Sequence, residues 1–127
     1  MVSSAFDVAG GEEFNPHDLS AEMTLTPSRC WRKGEAREAG AFHSNSCWSL
    51  RLGPDESFDL VGQVDRLLDQ VEPHANAILR AVSHGAIARV GLWWGDDPDD
   101  NAKPYLHFPA ELLARIVRLG AVLDFDI

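Results

Sequence analysis

What this chain of 127 residues lacks narrows its chemistry before any motif is read. It has only two cysteines, Cys30 and Cys47, too few for the disulfide framework of a small secreted domain. No window approaches the ~18 consecutive apolar residues of a membrane-spanning helix. The opening Met1-Val2-Ser3-Ser4-Ala5 shows no basic stretch followed by an apolar run, so no secretory leader is expected. These absences favour a reducing cytoplasm and no membrane partner. Cations are scarce: 11 Lys and Arg stand against 20 Asp and Glu, a net charge of −9. That argues against nucleic-acid binding, which needs many cations along a phosphate backbone. CxxC, HExxH, a phosphate-cradling glycine loop and a nucleophile elbow are all missing. The chain has no internal repeat, linker or low-complexity block. We therefore assign no catalytic residue, no metal ligand and no cofactor.

What is there describes one domain over residues 1–127. Its length is near the commonest domain size and allows one real core without staples. Apolar residues make up 45% and charged residues 24%, both ordinary globular values. Charge is unevenly placed. Between Arg29 and Leu52, five cations meet two carboxylates, a local +3 that leaves −12 on the remainder. Such asymmetry orients encounters with a partner.

The organising stretch is 57–95. Leu60, Val64, Leu67, Leu68 and Val71 fall on one stripe of a helix. Asp59, Gln63, Arg66, Asp69 and Gln70 take the other side. Pro73 interrupts that helix, and a second restarts on Ala75, Ile78, Leu79 and Val82 before Gly85 closes it. From Ala86 the period changes from 3.6 to 2. Ala86, Ala88, Val90, Leu92 and Trp94 point one way, and Ile87, Arg89, Gly91 and Trp93 the other.

Upstream, 5–8 reads as a short strand with Phe6 and Val8 inward. Asn15-Pro16-His17-Asp18 opens a short helix, with Asn15 as cap and Leu19 and Met23 inward. Strands are expected at 29–33 and 46–52, the latter with Trp48, Leu50 and Leu52 inward, separated by a long loop over 34–45. Gly53-Pro54-Asp55 reads as a turn. Downstream, 104–108 suits a short edge strand. A poorly capped helix then buries Leu112, Leu113, Ile116, Val117 and Leu119, and a last strand at 121–127 turns Leu123, Phe125 and Ile127 inward.

The resulting order is β-α-β-β-α-α-β-(β)-α-β. Every alternating strand has one apolar face, so the expected fold class is α+β: a single, mostly antiparallel sheet with helices packed on one face. This is a ferredoxin-like plan with an added helix and strand. The other face would display Asp7, Cys47, Ser49, Arg51, Arg89, Trp93, Asp124 and Asp126.

Several features together carry a likeness to a known family. They are Phe6 on the first strand, Asn15-Pro16, Leu25-Thr26-Pro27, Arg32-Lys33-Gly34-Glu35 and Trp48, then the helical region 60–79, Leu112-Leu113 and Leu119-Gly120. Over nearly its whole length the chain resembles the small bacterial proteins grouped as domain of unknown function 4279. Two positions depart from that pattern: Thr24 stands where a helix-ending glycine is expected, and Phe108 where a serine-like cap is. The resemblance implies a single cytoplasmic α+β domain and no activity.

Candidate chemistry is thin. The acidic run 96–101 invites a calcium loop beginning at Asp97, but its sixth and twelfth positions are Ala102 and Phe108 rather than glycine and glutamate. Cys30, His43 and Cys47 lack the paired spacing of a zinc site. The tryptophans inform more. Trp48 and Trp94 share the inward phase of core anchors, whereas Trp93 is outward beside arginine, as at binding hot spots. The reading is a non-enzymatic binding or protein-interaction module. Its open sheet face, with Arg51, Arg89, Trp93 and Asp124, would hold another protein or a second copy of the chain. The alternative is an acidic immunity- or inhibitor-type protein that masks a basic partner through 96–101. A small-molecule site or an enzyme ranks below both.

Overall fold

The structure is a computed structural model and describes residues 2–55, 59–94 and 107–126. Its elements in order are β1 (Val2–Gly10), α1 (Pro16–Met23), β2 (Arg29–Trp31), β3 (Ser46–Asp55), α2 (Leu60–Val71), α3 (Ala75–Ser83), β4 (Ile87–Trp94), α4 (Ala110–Arg118) and β5 (Ala121–Asp126). The sheet order is β2-β3-β1-β4-β5. β1 is central and antiparallel to β3 and β4, and β2 is antiparallel to β3. These four strands have the ferredoxin-like order, and α4 adds β5 parallel to β4 at the edge. The fold is α+β, as the alternation implies.

The described helices all cover one face. Val2, Phe6 and Val8 of β1, Trp48 and Leu50 of β3, and Ala88, Val90 and Leu92 of β4 form a single core with the stripe of α2, with Ile78 of α3 and with Leu112 and Ile116 of α4. Local signals set the ends of these helices. Asn15 accepts a hydrogen bond from the His17 N–H, and Pro16 is the first residue of α1. Thr24 adopts φ 52° and itself fills the left-handed position where glycine was expected. Asp59, read as a polar-face residue, caps α2 by accepting from the Gly62 N–H at 2.8 Å. Pro73 lies in a single 3-10 turn, Glu72–His74, which joins α2 to α3 without losing the core stripe. Pro109 precedes α4 with no side-chain cap, as expected.

Several expectations are corrected. Gly53-Pro54-Asp55 is not a turn: β3 runs on to Asp55 through a bulge. Val2 pairs with Asp55 and Ser4 with Leu52, so two residues of β3 stand opposite Ser3. β1 is longer than 5–8 because it is paired on both edges along its length. The stretch 34–45 is a small hairpin, with a bridge between Ala36 and Phe42 and main-chain bonds from Gly34 N to His43 O and from Arg37 N to Ala41 O. It had no hydrophobic period because main-chain pairing, the stacking of His43 and the bond of Glu35 hold it rather than a buried apolar side, with Phe42 out in solvent. Gln63 is buried rather than on the polar side of its helix. Leu79, Leu113, Val117 and Phe125 are exposed rather than inward; the last three belong to α4 and β5 at the edge, where little remains to cover them. The expected edge strand at 104–108 and the acidic run 96–101 fall largely or wholly outside the described residues, as does Ile127.

One side chain ties α4 to α2. Arg115 bonds to Asp65, to Asp69 (2.6 Å) and to Glu72 (2.6 Å from Nε), with its own side chain mostly buried. The bond to Glu72 is the main cause holding the guanidinium's affinity for its proton above the usual arginine value. Arg115→Met keeps the stem but leaves three carboxylates facing one another. A loss of about 1–2 kcal/mol is expected in urea unfolding, smaller at high salt where the repulsion is screened.

Candidate functional site

The register of the sheet lays out the open face as rows. Trp31, Cys47, Ala9 and Ile87 form one, and Arg29, Ser49, Asp7, Arg89 and Val122 the next. Arg51, Ala5, Gly91 and Asp124 follow, then Ser3, Trp93 and Asp126. All four sequence-derived candidates, Arg51, Arg89, Trp93 and Asp124, therefore share this face. None is sealed into the helix-side core.

They act as two pairs. The Arg51 guanidinium lies over the Trp93 ring, 4.8 Å from its centroid. This contact crosses the sheet, and the small residues beside Arg51 in its own row, Ala5 and Gly91, permit it. A Cβ at Gly91 would meet the far edge of the Trp93 indole at 2.9 Å, so the ring lies folded down on the strand. Ala5, between Arg51 and Gly91, is buried. Cation–π pairs of this kind contribute on the order of 0.5–1 kcal/mol when exposed and more when desolvated.

Arg89 forms the second pair. It donates to Asp7 Oδ2 at 2.9 Å and approaches Asp124 Oδ2 at 3.5 Å. The Asp7 carboxylate is buried while Arg89 stays half-open to solvent, so the arginine satisfies a charge set into the sheet. Its hydrogen bond to Asp7 holds the guanidinium above the usual arginine range. The neighbouring Cys47 has the outward phase expected of it and is nonetheless buried; that burial, helped by Asp7, pushes its thiol up to about 12. Between β4 and β5 a shallow depression of about 360 Å³ is lined by Arg89, Gly91, Trp93, Asp124 and Asp126.

At the far edge, Trp31 stacks on His43 of the 34–45 hairpin at 4.5 Å, with Arg29 over its ring at 5.2 Å. The hairpin thus covers Trp31. Cys30 pairs with Trp48, and Trp31 with Cys47, so the two thiols point to opposite sides of the sheet and cannot bridge. Among the described residues, no three His, Cys, Asp or Glu side chains are arranged to hold a metal ion. No described helix is long and apolar enough to cross a membrane.

The family model described as a domain of unknown function, DUF4279, matches residues 2–127, nearly the whole chain. The chain belongs to this family. No curated protein and no solved structure matches it. In this DUF4279 chain the quoted motif residues sit at structural joints: Asn15 caps α1, Leu25 packs against the core and Trp48 is fully buried within it. Reading the chain by periodicity missed how the DUF4279 open face is assembled. It did not pair Asp7 with Arg89, 82 residues away, nor see that Gly91 lets Trp93 lie down. The only advance signal was shared phase, which names a face and not a partner.

Proposed function

We propose that this protein is an interaction module whose open sheet face receives a second copy of the chain. The contact of Arg51 with Trp93 carries the proposal: a large aromatic ring held flat and presented on a face that no described helix covers. Arginine and tryptophan are the side chains most often found at the centre of protein interfaces. The charge layout favours a second copy as the occupant. Arg29 and Arg51 lie toward the β2–β3 side, and Asp124 and Asp126 on β5. Two such faces related by a two-fold axis that runs along the strands bring the basic half of each over the acidic half of the other, a self-complementary contact. Ile87 and Val122, both exposed on this face, add apolar area.

Sedimentation equilibrium tests the proposal. The parent chain is expected to dimerise, and Trp93→Ala to weaken association by at least about tenfold, a loss of ~1.4 kcal/mol or more, while unfolding stays cooperative. Arg51→Asp and Asp124→Arg should each be monomeric, and their mixture should regain a dimer. A parent that stays monomeric at high micromolar concentration overturns the proposal, as does a Trp93→Ala chain that associates like the parent.

A further inference from the structure

A second cluster lies on the helix side of β2, away from the open face. Three separate elements build it. Cys30, paired with Trp48, points under α1. His17 sits in the first turn of α1, where the Asn15 cap fixes its backbone. Glu35 is held by the hairpin, its N–H on Arg32 O and its C=O accepting from His43 N. Their side chains meet in line: Glu35 Oε1 is 2.6 Å from His17 Nε2, and His17 Nδ1 is 3.6 Å from Cys30 Sγ.

That order settles the tautomer. A carboxylate only accepts, so the proton between Glu35 and His17 resides on Nε2. The lone pair of Nδ1 then faces the Cys30 S–H. The hydrogen bond from His17 holds the Glu35 carboxyl below the usual glutamate range, in keeping with a charged acceptor. Burial, and then the charge of Glu35, raise the Cys30 thiol, so the resting group is S–H and needs a base to react. A metal is a poorer fit. Glu35 occupies the second imidazole nitrogen, so only Cys30 Sγ and His17 Nδ1 would face an ion, two donors where zinc takes four.

We propose that Cys30 is a site of reversible S-thiolation by low-molecular-weight disulfides, with His17 as its base and Glu35 as the residue that positions His17. The Cys30 proton passes to His17 Nδ1. The thiolate attacks one sulfur of R–S–S–R, the Cys30–S–S–R bond forms and the original S–S bond breaks. The leaving RS⁻ takes the proton back from the imidazolium and departs as RSH. Cys30 is oxidised, the departing sulfur is reduced, and no other oxidant is needed. Access is provided: Cys30 is partly exposed at a cleft of about 410 Å³, also lined by Trp31, Glu35, Arg37 and His43. Cys47 is the internal control, buried on the other side of the sheet with its thiol pushed up to about 12.

The test treats the reduced, folded chain with oxidised glutathione near neutral pH, follows intact mass and maps the modified cysteine. One glutathionyl group is expected, on Cys30, with Cys47 modified only in urea. His17→Phe should slow the reaction by at least about tenfold, the low end of what a positioned base supplies. Glu35→Ala should slow it severalfold. Glu35→Gln, which still accepts from Nε2, should recover most of the rate, an effect that mere structural support would not show. Circular dichroism and a thermal melt on each variant exclude unfolding as the cause. Modification of Cys47 in the folded chain, or a folded His17→Phe variant that reacts as fast as the parent, overturns the proposal.

Discussion

Replacing Gly53 by alanine is expected to cost about 3–5 kcal/mol, a large part of the ~5–15 kcal/mol that holds a domain of this size together. Two independent effects add at this position. The backbone has φ 89°, a region where any side chain other than hydrogen costs on the order of 1–3 kcal/mol. A Cβ built there would also lie 2.7 Å from the Val2 carbonyl oxygen and 3.1 Å from the Ser3 backbone. A flexible side chain could move aside, but these are atoms of the central strand. Relief would mean displacing β1 from β3 at the bulge, where the register passes from Ser4–Leu52 to Val2–Asp55. Chemical denaturation should show the loss as a lower midpoint with little change in slope. Gly34→Ala, also at positive φ but with open space around the new Cβ, is the matched control and should lose only the smaller backbone part. Equal losses at the two sites would refute the packing argument.

Gln63→Leu should cost about 2–4 kcal/mol, although it places a well-shaped apolar side chain in an apolar layer. Gln63 is buried on α2 and joins the helix to β1 twice. Its Nε2 donates to Val2 O at 3.1 Å, and its Oε1 accepts from Ser4 Oγ at 3.1 Å. Ser4 is itself fully buried, so leucine leaves its hydroxyl without this acceptor and removes a donor from the Val2 carbonyl. The same oxygen thus faces the bulge on one side and the α2 amide on the other. Adding Ser4→Ala to the Gln63→Leu chain should restore about 1–2 kcal/mol, because one stranded group is then gone. Strict additivity of the two substitutions would show that the bond has no coupling energy, and a Gln63→Leu chain as stable as the parent would dismiss the bridge altogether.

Gln63 and Gly53 also mark where one-dimensional reading stopped. On a helical wheel Gln63 stands beside Arg66 and Gln70, and polarity placed it with them. It is buried because one strand residue above it is serine rather than an aliphatic, a fact about β1 and not about α2. Gly53-Pro54 has the composition of a turn and serves instead as a bulge, since continued pairing of Asp55 with Val2 outweighs the local turn preference. The hairpin over 34–45 escaped for the opposite reason: it buries too little to impose a period. Cys30, His17 and Glu35 were each visible, but 13 and 18 residues of sequence separate His17 from its two neighbours, and no motif spacing links them.

The α2 stripe, the two-fold alternation of β4 and the cap at Asn15 were legible directly, because each depends on neighbours within one element, where geometry repeats at a known period. From them follow one sheet, helices on a single side, and the common face of Arg51, Arg89, Trp93 and Asp124. Which of those residues touch was decided only by the tertiary structure. Strand register places Asp7 against Arg89 and sets Ala5 and Gly91 in the row of Arg51, where the lack of a side chain at Gly91 lets the Trp93 ring lie down, and register arises from how the whole core packs. Periodicity states which way a side chain points; the packed sheet alone determines what it meets.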